Sequence, residues 1–412
     1  MKVALYGNTC NNFYTLAKAM RSVLRLDVHL YINSTADFQN LPESDDPELK
    51  DNYPDWIHLS PKWNIRDFVT RYSKCFIDEL NNYDVVFLSQ MGVILSPYIK
   101  GTSIFYVTGG DLTQIPFPSK FPKIFKTVKD RVIGEYIGVL QRRGIRKAKK
   151  ILTQPFFPFV RALKEIGVDQ RRVSKGYFPI LMDLNVIKAT RDPLSSIDQV
   201  NRTLLTPFRH IIFHPSRLNM DKSAGSINSG QWKGNDTLFH AFALFLKKYN
   251  VTDACIAMPE RKHSVDIGKA KEIIADLGIT NNVVWLQPPT PDGFPRSQLM
   301  NFYSLADVVV DEFGIGWFGS VVVEGLACRK PTICYVDEDV MRELYPWHPI
   351  LSSKNPEEIA DIMAKFLLDK EAAAAQGEIS RQWAEEFHSI ENGTKIYIRN
   401  LKNDLSDIFN LI

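Results

Sequence analysis

Residues 305–335 read LADVVVDEFGIGWFGSVVVEGLACRKPTICY, and this stretch decides the fold. Residues 306–310 form a short β-branched run bounded by polar positions, the pattern of a buried strand. A turn-rich loop follows, with glycines at 314, 316 and 319. Residues 320–328 then place small and apolar side chains at helical spacing, with Glu324 as the only charge. Pro331 stops that helix and residues 332–335 begin another strand, completing a βαβ unit. A glycine loop feeding a helix N-terminus leaves N–H groups free at the positive end of the macrodipole, where an anion can dock. Glu324 lies about one turn inside, and helical side chains lean back toward the N-terminus. Its carboxylate repels phosphate and suits neutral hydroxyls such as those of a ribose. The plainer alternative is a Glu that caps its own helix or pairs with a nearby cation.

The segment FGSVVVEGLACRKP resembles the C-terminal signature of the GT-B-fold nucleotide-sugar glycosyltransferases, in particular the large retaining group with two Glu residues eight apart. The second Glu matches Glu324, which the resemblance implies binds ribose. The first falls at Gly316 and is missing. Arg329 replaces the glycine usual at the helix end, so a non-Gly residue is expected there at positive φ, at a cost on the order of 1 kcal/mol.

Working outward, residues 211–214 read as a strand followed by Arg217. After a polar insertion at 218–231, longer than expected and readable as a mobile flap, come Lys233 and Gly234 and a helix with Leu238, Phe242 and Phe245 on one face. The resemblance implies that Arg217 and Lys233 clamp the donor diphosphate. A departing nucleoside diphosphate gains negative charge and needs fixed cations and N–H donors. Two surface cations flanking a loop are the alternative. The 282–287 strand leads to Gln287, whose loop is expected to meet the base through its backbone. Phe318, Gly319 and Ser320 complete the expected donor set with Gly316. At Gly316 either main-chain N–H groups hold the sugar, the version the spacing favours, or Asp311 or Glu312 reaches in. The 337–339 acid triplet resembles a D-x-D metal motif but opens a helix, where acids are ordinary caps. No metal or cofactor is expected.

The N-terminal half opens with a second βαβ unit over 2–32. Its loop, GNTCNNF, is not the G-x-G-x-x-G of dinucleotide folds, which weighs against NAD. The resemblance implies that this loop faces the cleft, making Gly7 and Asn11 candidate cleft residues; the alternative is a simple strand-to-helix turn with an Asn N-cap. Residues 40–65 look like a surface excursion. Strands at 85–88 and 104–107 follow, the second ending in Thr108, Gly109, Gly110 and Asp111. Family members often carry a His near Thr108. Thr108, Gly109 and Asp111 are candidate acceptor-side residues, with turn capping by Asp111 as the alternative. Residues 119–150 carry eleven Lys and Arg against Asp130 and Glu135, with apolar positions 121, 125, 128, 132, 136 and 139 at a helical period. This reads as a solvated helix face packed on the domain or as a basic amphipathic helix lying on anionic membrane. No interleaved stacking aromatics point to nucleic acid.

The 412 residues, 45% hydrophobic and 24% charged, suffice for two domains, and a net charge of +3 does not itself imply nucleic acid. Five scattered cysteines without metal spacing read as reduced thiols, and no apolar run suits a signal or a span, so a cytoplasmic, at most peripheral, protein is expected. The resulting expectation is an α/β GT-B protein with two Rossmann-like parallel-sheet domains facing across a cleft. An acceptor domain spans 1–190, a donor domain 208–385, and a crossing-back helix 386–412, with a linker near 191–207. The implied reaction is metal-independent hexosyl transfer with retention, from a UDP-sugar by family habit or a GDP-sugar, to a glycan or lipid-linked acceptor. The rivals are an altered homologue that binds without transfer, and an unrelated two-domain binding protein or dehydrogenase.

Overall fold

The computed structural model describes all residues except 34–35, 61–70, 122–126, 175, 177, 262–263, 265, 291–292 and 405–412, and the side chains of 71–73 and 404. Phe125 of the basic stretch lies outside the described residues.

The chain divides into two compact units, residues 1–181 with 390–412, and residues 182–389. In the first, strands β1 (Lys2–Tyr6), β2 (Asp27–Asn33), β3 (Ile57–Ser60), β4 (Val85–Leu88), β5 (Thr102–Tyr106) and β6 (Lys150–Leu152) make one sheet ordered β3-β2-β1-β4-β5-β6. Every pairing is parallel. Buried on both faces, β4 is apolar throughout, as a central parallel strand must be. One face packs Val3, Leu5, Leu30 and Phe87 with Phe13 and Leu16 of the helix Asn12–Leu24. Tyr397 and Leu401 of the helix Ile390–Asp404 join that cluster.

The second unit repeats the plan with five strands. They are β7 (His210–Phe213), β8 (Ala254–Pro259), β9 (Val283–Leu286), β10 (Val308–Val310) and β11 (Thr332–Ile333), ordered β11-β10-β7-β8-β9 and again all parallel. The core joins Ile212, Ile256, Val308 and Val310 to Leu238, Phe242 and Phe245 of the helix Asn235–Tyr249 and to Ile359 and Met363 of the helix Pro356–Leu368.

In both sheets the chain reverses its direction of growth beside the first strand, between β1 and β4 and between β7 and β10. Loops at the carboxyl ends of strands flanking such a switch point are where open α/β sheets bind ligands. The loop after β7 carries Arg217, and the loop after β10 carries the glycines.

Two readings of the chain are corrected. The supposed linker is folded into the second unit, where the helix Gln199–Leu205 buries Asn201 and Leu205. The insertion is anchored rather than free. Leu218 and Met220 enter the core, Ser223 caps the short helix Ala224–Asn228, and Lys222 pairs with Asp236 at 2.8 Å. Arg329 does stand at φ 59°, and the helix carrying Gly377 crosses so close that a Cβ there would meet the Arg329 carbonyl oxygen at 2.4 Å.

Candidate active site

The site of the second unit is framed by His214 at the end of β7. It is fully buried, with Nδ1 2.9 Å from the Val310 carbonyl and Nε2 3.0 Å from the Asn235 amide nitrogen. Burial holds its pKa below the usual value, so the ring is a neutral strut. It donates from Nδ1 to the carbonyl and accepts from the Asn235 amide at Nε2. Asn235 Oδ1 in turn accepts from the Asn219 backbone at 2.8 Å, and the Lys233 N–H donates to the Asn219 carbonyl at 2.8 Å. Gly234 sits at φ 64°, and a Cβ would lie 3.1 Å from the Phe313 carbonyl carbon. Gly314 allows the return contact, since a Cβ there would be 2.3 Å from the Trp232 oxygen. These two close approaches seat Lys233 beside the loop after β10.

Lys233 is not an open cation. Its ammonium pairs with Glu312, a carboxylate only 2% exposed. Burial raises the Glu312 pKa to about 7 against the pull of Lys233, with a smaller downward effect from Arg217. Arg217 is solvent-exposed within electrostatic reach of the same carboxylate. Asp311 accepts from Ser216 Oγ and lies under Gly319, with Oδ2 3.9 Å from where a Cβ would stand. The two acids preceding the glycine loop therefore turn toward the β7 loop, which sequence spacing did not reveal.

Gly316 stands at φ 74°, its carbonyl accepting from the Asp337 N–H at 2.8 Å. Gly319 precedes the helix Ser320–Ala327 in extended conformation, with no side-chain cap. Glu324 is buried one turn in. One carboxylate oxygen accepts from Arg296 Nη1 at 2.7 Å and the other from the Tyr303 hydroxyl at 2.7 Å. An ionised carboxylate has about four acceptor directions, so two remain for other hydroxyls.

Several candidates are committed elsewhere. Phe318 is 3% exposed and packs in an aromatic cluster with Trp317, Tyr345, Trp383 and His388, so its side chain is structural. The Gln287 backbone is taken on both sides by Asn201, which accepts from its N–H at 2.8 Å and donates to its carbonyl at 2.9 Å. Direct base contact through that peptide is therefore withdrawn. Asp337 caps its own helix through the N–H groups of Asp339 and Val340, Asp339 pairs with Arg342, and Glu338 faces His348. Among the described residues no trio of His, Cys, Asp or Glu is arranged to hold a metal ion, and the five cysteines are free thiols.

In the first unit Asn11 is buried. Its amide donates to the Leu41 carbonyl at 3.0 Å and to Ser44 at 2.8 Å, pinning the 38–49 excursion. Gly7, at φ 102°, permits β1 to pass Ser89, whose Oγ would lie 2.3 Å from a Cβ. Asp111 is 4% exposed and accepts from the N–H groups of Gln90, Thr108 and Gly109 and from the Thr108 hydroxyl at 2.9 Å. Burial nonetheless raises its pKa to about 6. It clasps the turn, and Thr108 is spent on it. Gly109 stands at φ 126°, with open space where a Cβ would lie.

Residues 222–383 match the model of the family described as glycosyl transferases group 1. The match lies within the second unit. No curated relative matches the sequence. Among the solved structures similar over nearly the whole chain are the following three. Anabaena HepE in complex with UDP-glucose is 16% identical with a TM-score of 0.64, covering 99% of this chain and 100% of that one. Sucrose-phosphate synthase from Thermosynechococcus elongatus is 13% identical with a TM-score of 0.60, covering 100% of both. A glycosyltransferase from Rickettsia africae is 16% identical with a TM-score of 0.62, covering 98% and 99%. At such identities the likeness establishes the fold, which is GT-B.

Proposed function

We propose that this protein transfers a hexosyl unit from a nucleoside diphosphate sugar to a glycan or lipid-linked acceptor, with retention at the sugar carbon. The observation that carries the proposal is the convergence at one switch point of Arg217, Lys233 and an uncapped helix N-terminus with Glu324 behind it. Cations and free N–H groups suit a diphosphate, and a buried carboxylate with acceptor directions to spare suits ribose hydroxyls. HepE, solved with UDP-glucose, supports UDP as the favoured nucleotide.

In this reading the bond from the sugar carbon to the diphosphate oxygen breaks while an acceptor oxygen bonds the same face of that carbon. The acceptor proton passes to the departing phosphate. Arg217, Lys233 and the helix N-terminus stabilise the charge that develops on the leaving group, the largest kind of catalytic contribution. Lys233 acts while shared with Glu312, so the charge on that carboxylate sets how strongly the clamp pulls. Gly316 offers its backbone to the sugar in place of the missing carboxylate.

A second reading, binding without transfer, rests on the occupied Thr108 and the neutralised Lys233. A mass-spectrometric screen of sugar nucleotides against simple acceptors and water decides between them. Free nucleoside diphosphate with a glycosylated product supports transfer. Saturable binding with no turnover of any donor supports the second reading.

A further inference from the structure

The helix Val128–Lys147 of the first unit packs by the face opposite to its apolar stripe. Its inward side buries Gly138, Gln141, Gly144 and Ile145. A Cβ on Gly144 would meet the Val93 carbonyl oxygen at 2.2 Å, and one on Gly138 would meet Pro118 Cδ at 2.8 Å. Between them Gln141 is fully buried, its amide donating to the carbonyls of Gln90 at 3.0 Å and Asp111 at 2.9 Å. Close backbone approach and a buried amide hold this helix down.

A second set of apolar residues points away. Val128, Val132, Tyr136 and Val139 are 82%, 64%, 44% and 50% exposed. They recur at intervals of four, four and three, which keeps them on one face. The next positions on that face are Arg143 and Arg146, and exposed Lys129, Arg131 and Lys147 flank it. Of the two acids in the helix, Asp130 is turned into the capping box with Thr127, leaving Glu135 as the only carboxylate beside the stripe. At 20 residues the helix offers a face ~30 Å long. The neighbouring helix Phe157–Ile166, tied on by Arg146 Nη1 donating to the Ile166 carbonyl at 3.2 Å, repeats the composition. Phe157 and Val160 are exposed on it, followed by exposed Arg161 and Lys164.

We propose that this face docks the protein on an anionic lipid bilayer. Val128, Val132, Tyr136 and Val139 enter the boundary between headgroups and acyl chains, and Lys129, Arg131, Arg143 and Lys147 meet lipid phosphates. Charge complementarity selects this occupant. An apolar strip bordered by cations matches a surface that is apolar beneath a negative layer, whereas a protein partner would need a matching ring of acids around an apolar groove. No described helix is long and apolar enough to cross a membrane, so the contact lies along the surface. The proposal stands independently of the transfer reading, because none of these residues belongs to the donor site.

The test is co-sedimentation of the full chain with vesicles of phosphatidylcholine alone or mixed with phosphatidylglycerol. Binding to the mixed vesicles only is expected, with release as salt rises toward ~1 M, where the screening length falls to about 3 Å. Exchanging Lys129, Arg131 and Lys147 for Gln removes three surface cations and lowers partitioning about 100-fold, at roughly fivefold each. The pair Val132→Ser and Val139→Ser lowers it about tenfold or more. All five side chains are exposed, so both variants keep the wild-type circular dichroism and melting temperature. Equal binding to neutral and mixed vesicles, no binding at low salt, or variants that bind like wild type would each overturn the proposal. So would a dimer detected by light scattering and abolished by the valine pair, which would give the face to a second copy of the chain.

Discussion

The Glu312–Lys233 pair should make the proposed donor site sensitive to protons, and Glu312→Gln exposes the effect. The carboxylate is buried and poised at about 7 before any donor binds. A phosphate drawn to the far side of the Lys233 ammonium would sit roughly 6 Å from it, where two unit charges repel by about 3 kcal/mol at an effective dielectric of ~20. At ~1.4 kcal/mol per pKa unit, that raises Glu312 by about two units. At pH 8 the carboxyl is then about one-tenth protonated without nucleotide and about nine-tenths with it. Binding of UDP should take up ~0.8 proton, and pH 8 is chosen because the nucleotide phosphates are by then ionised. Isothermal titration calorimetry in phosphate and in Tris, whose ionisation enthalpies differ, reads the uptake directly. Glu312→Gln should abolish it and tighten UDP binding above pH 8, where the wild type must still acquire its proton. An uptake that persists unchanged in Glu312→Gln, or is absent from the wild type, would refute the reasoning.

Other outcomes follow from the same geometry. Arg217→Ala should lower transfer about 100-fold or more without altering the fold, read as kcat/KM and circular dichroism. Lys233→Ala should lose transfer comparably but also destabilise the protein by about 3–5 kcal/mol, because Glu312 is left buried without its partner; adding Glu312→Gln should restore the melting temperature and not the activity. Gly316→Val should block transfer, since β-branched residues resist a φ of 74° and a Cβ there already sits 3.4 Å from Asp337 and Tyr335. Activity should survive EDTA, and loss restored by Mn²⁺ or Mg²⁺ would reassign Asp337 and Asp339. Because the folded-state pKa of Glu312 is raised, its contribution to stability is fully present below about 4.5 and lost as pH rises through about 7. Urea unfolding of Glu312→Gln should therefore lack that decline.

What the sequence made legible was local. Residues 305–335 announce strand, glycine loop, helix and strand through period and punctuation, and the positive φ of Arg329 is expected because Arg329 stands where the resembling family has a helix-ending glycine. The GT-B fold could be read from the same stretch. Pairings between distant residues were not legible. Lys233 meets Glu312 across 79 positions, Asn201 closes on Gln287 across 86, and Asn11 reaches Ser44 across 33. Each of these spends a polar group that, taken alone, looked free for a ligand. Asp111 misleads in the opposite way, since all its partners but Gln90 are its own neighbours and a capping turn has the same residues as an acceptor site. For the basic helix the period was visible, but which side faced the protein depended on Gly138, Gln141 and Gly144, whose packing partners lie in other elements.

The central claim is that the second unit binds a nucleoside diphosphate through Arg217 and Lys233. Equilibrium titration of the wild type and of the Arg217→Ala, Lys233→Ala, Glu312→Gln triple variant with UDP, GDP and NAD tests it most directly, the third change keeping the variant folded. Saturable binding of UDP or GDP by the wild type, none of NAD, and an affinity at least about 100-fold weaker in the variant are expected. Saturation by NAD, or a variant that binds UDP as tightly as the wild type, would contradict the claim.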